Sequence, residues 1–74
     1  MEEKLLRIIK RKNDCVLVQM LRNHMYKVID VEQDTICITH SLVHAEEIFN
    51  NFDLNRVRLE RVNEFEKWLK EVGE

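Results

Sequence analysis

Three segments, Cys15-Val-Leu-Val-Gln-Met-Leu21, Met25-Tyr-Lys-Val-Ile-Asp-Val31 and Thr35-Ile-Cys-Ile-Thr39, decide how this chain folds. Each is rich in β-branched residues, and the polar triplets Arg22-Asn23-His24 and Glu32-Gln33-Asp34 separate them. That spacing predicts a three-stranded antiparallel meander over about residues 15–39. A sheet with one wet face alternates apolar and polar residues cleanly, and these strands do so only in part. Their second face therefore needs a cover.

The turns suggest a register. A turn at 22–24 sets Leu21 opposite Met25 and Leu17 opposite Ile29, and a turn at 32–34 sets Val31 opposite Thr35 and Ile29 opposite Cys37. One face then carries Val16, Val18, Met20, Tyr26, Val28, Ile36 and Ile38, interrupted by Asp30. The other carries Cys15, Leu17, Leu21, Met25, Ile29, Val31 and Cys37, with the row Leu17–Ile29–Cys37 crossing all three strands. A slip of one residue would exchange the faces.

Outward from the meander, Ser41 offers an N-cap for a helix over 42–51, with Leu42, Ala45, Ile48, Phe49 and Phe52 on one side. Residues 2–12 fit a helix or a strand; the helix is favoured because Glu2 and Glu3 precede Leu5, Leu6, Ile8 and Ile9, and Lys10, Arg11 and Lys12 follow. Beyond Asp53 the pattern forks. Residues 56–61 read as a fourth strand, followed by a helix over 63–72 with Asn63 and Glu66 as a capping box. One long helix from Asp53 to Val72 is the other choice, but it places Arg58 and Arg61 in the apolar stripe and Leu59 outside it. The expected fold is a single small α+β domain over residues 1–74.

Seventy-four residues sit near the lower limit for folding unaided, and such a core rarely supplies more than about 3–5 kcal/mol without a disulfide, a metal or a partner. No apolar run exceeds the four residues Cys15–Val18, which excludes a membrane-spanning helix and a secretory leader. The two cysteines fall on the outer strands of the meander, about 10 Å apart and beyond disulfide reach. Buried free thiols and a cytoplasmic location are the expectation. Net charge is −2 overall, with +3 over residues 1–12 and −4 over 13–52. That balance neither recruits nor repels nucleic acid decisively.

Several motifs carry chemistry on paper. Cys37, His40 and His44 have residue types that suit zinc, but Cys37 and His40 point to opposite faces of a strand and no second ligand pair accompanies them. No metal and no cofactor is therefore expected. The chain has no proline, and its one glycine, Gly73, lies at position 73, so neither a phosphate-cradling loop nor a nucleophile elbow is present. No nucleophile–base constellation is visible, and the chain is read as non-enzymatic. Lys10, Arg11 and Lys12 with Arg56, Arg58 and Arg61 form two basic segments, the basis of an alternative reading as a nucleic-acid-binding protein.

The main functional expectation is a small protein-binding or regulatory protein that forms a homodimer through an apolar sheet face. Its contact residues are Leu17, Leu21, Met25, Ile29 and Cys37, with Phe65 and Trp68 as a second anchor. No membrane partner is expected.

Overall fold

The computed structural model describes residues 4–74. Four strands come first: β1 (Leu6–Arg11), β2 (Cys15–Met20), β3 (Tyr26–Asp30) and β4 (Thr35–Thr39). Two helices follow, α1 (Leu42–Asn51) and α2 (Leu59–Val72). The strands form one antiparallel meander in the order β1-β2-β3-β4. The α+β domain expected from the sequence is present, and the meander and α1 fall where their patterns place them.

Each sheet face has its own helix. On one face Cys15, Leu17 and Val28 are buried against Ala45 and Phe49 of α1. On the other, Leu6, Val16, Val18, Ile29 and Val31 are buried against Phe65 and Leu69 of α2. A sheet covered on both sides has no need of strict alternation, which explains the fully buried run Cys15–Val18 in β2. Burying Val16, Leu17 and Val18 contributes about 1.5–3 kcal/mol each.

Two expectations need correction. The pattern of residues 2–12 favours a helix over a strand; across the described part of that segment the chain forms a strand, Leu6–Arg11. Leu6 pairs with Met20 and Ile8 with Val18, and a bulge at Ile9 interrupts the ladder. Ile8 packs on the α2 side and Ile9 on the α1 side, so adjacent isoleucines that look helical serve two different cores. Residues 2 and 3 lie outside the described residues.

The fourth strand expected at 56–61 does not form. Residues 52–58 connect the helices without regular structure, and α2 begins at Leu59, whose side chain is 75% exposed. Arg58 caps α2 without a side-chain hydrogen bond, and Asn63 lies inside the helix rather than at its cap. Val62, Phe65, Leu69 and Val72 lie at helical spacing against the sheet, and this stripe outweighs the β propensity of Val57 and Leu59.

Candidate interaction surface

The β2–β3 turn determines where the expected contact residues fall. Met20 N–H donates to the Met25 carbonyl at 2.8 Å and His24 N–H to the Met20 carbonyl at 2.9 Å, so the loop is residues 21–24 rather than 22–24. His24 takes a left-handed conformation, φ 62°, to close it. Leu17 consequently pairs with Val28, and Ile29 pairs with Val16. This is a slip of one residue from the expected register, and it exchanges the faces of β3 relative to β2. In the next ladder Cys37 pairs with Val28 and Thr35 with Ile29, with Ile36 as the extra residue of a bulge.

The row Leu17–Ile29–Cys37 is therefore divided. Leu17 and Cys37 pack beneath α1, whereas Ile29 packs beneath α2. Leu21 and Met25 stay half-buried at the β2–β3 turn. Phe65 is buried in the α2-side core, and the half-buried Trp68 stacks on it with ring centroids 5.9 Å apart. The fold's own helices thus occupy both sheet faces.

The basic segments are also largely engaged. Lys10 lies 3.9 Å from Glu46, Arg11 pairs with Glu66, and Arg61 lies 3.4 Å from Glu64. Lys12 donates to the Phe52 carbonyl at 2.7 Å and sits 5.1 Å from the centre of the Phe49 ring. Arg56 and Arg58 lie exposed in the connector. A cleft of about 710 Å³ opens beside this region, between the β1–β2 turn, the end of α1 and the connector. Its buried Asp14 accepts from Leu54 N–H at 2.9 Å, and Lys12 holds Phe52, so its inner polar groups fasten the connector to the sheet.

Chemistry in the core is suppressed. Burial first, with the Asp14 carboxylate second, pushes the Cys15 thiol up to about 12. A thiol of that kind is protonated and a poor nucleophile at neutral pH. His40 and His44 are both exposed, Cys37 is half-buried, and among the described residues no group of three metal-ligating side chains converges.

What remains is the sheet's two edges, and they differ. The outer edge of β1 is paired for half its length. Leu5 N–H donates to the Val72 carbonyl at 2.9 Å, Glu74 N–H to the Leu6 carbonyl at 2.9 Å, and Ile8 N–H to the Glu74 carbonyl at 3.4 Å. Past Ile8 come the bulge at Ile9 and the charged Lys10 and Arg11. Pairing, bulges and charges are the usual means by which proteins blunt an edge.

β4 has a bulge at Ile36 but no charged residue, and among the described residues no strand pairs with its outer side. The bonds Met20 N–H to Met25 O and Asp30 N–H to Asp34 O set the parity of the ladders. They turn the backbones of Tyr26, Val28 and Asp30 towards β4, so Cys37 and Thr39 face inward and the amide and carbonyl of Ile38 point outward. The Ile38 side chain, on the α2 side but beyond the helix, is 56% exposed. β4 is legible as an outer strand of the meander, and its lack of charge is the sequence signal for an open edge.

Compared with known proteins, the chain matches no family model, no curated protein and no solved structure. No helix among the described residues is long and apolar enough to cross a membrane.

Proposed function

We propose that this chain is a non-enzymatic protein-association domain that binds another polypeptide along the outer edge of β4. The observation that carries this reading is the contrast between the edges: β1 is closed by residues 72–74 and flanked by charge, while β4 presents uncharged Thr-Ile-Cys-Ile-Thr with Ile38 exposed. An open edge supplies main-chain hydrogen bonds for affinity, and the alternating side chains beside it supply selectivity. The buried, protonated Cys15 supports a role without covalent catalysis.

Relative to the sheet-face contact expected from the sequence, the binding surface moves from face to edge. Leu17, Ile29 and Phe65 become the scaffold that holds the edge in place. The test is Ile38→Lys, which puts a charge on an exposed edge position and leaves both cores intact. Proteins retained by the tagged full chain should be lost with the variant, at unchanged far-ultraviolet circular dichroism. Identical retention by both would refute the edge as the binding surface.

A further inference from the structure

We infer that the occupant of the β4 edge is a second copy of this chain, paired antiparallel about a two-fold axis at Ile38; this rests on the edge reading above. Charge is distributed unevenly along that edge. At one end lies the β3–β4 loop, with exposed Glu32 and Asp34 and no base. At the other end, directly after β4, stands the N-terminus of α1, capped by Ser41 and without an acidic residue in its first turn. That helix end carries the positive pole of the backbone dipoles, and His40 and His44 flank it.

A strand with an acidic end and an electropositive end is complementary to itself when reversed. In a parallel pairing the two acidic loops would lie side by side. In the antiparallel pairing each loop meets the other copy's helix end, which is the isologous contact of a two-fold dimer.

The register follows from the free backbone groups. Because the amide and carbonyl of Ile38 point outward, Ile38 of each copy exchanges both hydrogen bonds with Ile38 of the other. Thr39 then lies opposite Cys37, His40 opposite Ile36, and Ser41 opposite Thr35. Asp34 is four residues from the axis, about 13 Å, and reaches the first turn of the second copy's α1. The exposed Ile38 side chains meet each other on the α2 side of a continuous eight-stranded sheet, two copies of the four-stranded sheet. The β1 edges, half paired by residues 72–74 and blunted beyond Ile8 by the bulge, Lys10 and Arg11, become the outer limits of the assembly, so pairing stops at two copies.

Sedimentation velocity of the purified full chain across a micromolar concentration series tests this. The expected result is a concentration-dependent doubling of mass. Ile38→Lys should remain at the monomer mass, and Asp34→Lys should weaken association several-fold with the circular dichroism unchanged. In a Cys37→Ser background, Ile38→Cys should oxidise to a covalent dimer, whereas Thr35→Cys should not. A monomer at every concentration, or a dimer indifferent to Ile38→Lys, overturns the self-pairing. If the wild type is monomeric yet still loses bound proteins on Ile38→Lys in the retention assay, the edge reading stands and only the second copy is refuted as its occupant.

Discussion

Asp30 is a buried carboxylate with a structural task. Its Oδ1 accepts from Glu32 N–H at 2.9 Å and from Asp34 N–H at 3.0 Å, while Gln33 between them takes a left-handed φ of 66°. The side chain thus replaces the backbone partners that the loop cannot supply. From the sequence Asp30 looked like an interruption of an apolar face; the pattern shows a polar residue there but not the two amides above it. Asp30→Ala leaves both amides without that acceptor and should destabilise the fold by about 2–3 kcal/mol, read from the urea midpoint. Cys15 gives a test in pH. Its thiol is held up to about 12 against an ordinary value of 9.0. Below 9.0 the thiol is protonated in both states and stability does not depend on it. As pH rises from there towards 12, the unfolded chain releases this proton and the folded chain keeps it. Stability should fall through that window by up to about 1.4 kcal/mol per pH unit, and the difference between wild type and Cys15→Ala isolates the contribution.

Among the elements, α1 was the most legible and α2 the least. Ser41 accepts from His44 N–H at 3.2 Å, as its position in the sequence suggests, and α1 spans Leu42–Asn51. α2 was harder to bound because its first turn is exposed and has no side-chain cap, so the usual start signal is missing. β1 was obscured differently: Ile8 and Ile9 are adjacent apolar residues, which reads as helix unless both sheet faces are known to be covered. The register of β2 and β3 turned on the conformation of one residue, His24, and local composition does not encode that. The end of α2 is held by a tight fit. A Cβ on Gly73 would lie 2.5 Å from the Leu69 carbonyl oxygen and 3.0 Å from Ile8 Cδ1. The need for glycine here arises from close approach, since its φ of −93° suits any residue. Gly73→Ala should cost about 1–3 kcal/mol through overpacking, and hydrogen exchange at Leu5 and Ile8 should rise with it as residues 72–74 leave the β1 edge.

For the molecule as a whole, the partial alternation of the strands correctly implied two covered faces. The identity of the covers was the missing part. The candidates drawn from the sequence were the first segment and a second copy; instead the first segment became a strand and the two helices took one face each. With the faces closed, the large unsatisfied feature of the sheet among the described residues is its β4 edge, and the proposed site follows from topology rather than from any single motif.

Pairing of residues 72–74 with β1 has a mechanical consequence. The two segments run parallel, as the bridge between Leu6 and Gly73 shows. A pull applied at Leu5 and Glu74 in opposite directions slides one segment along the other, loading their three hydrogen bonds together. A pull across β4 would instead open its ladder one bond at a time. The domain thus resists tension between Leu5 and Glu74 more than tension applied at its open β4 edge.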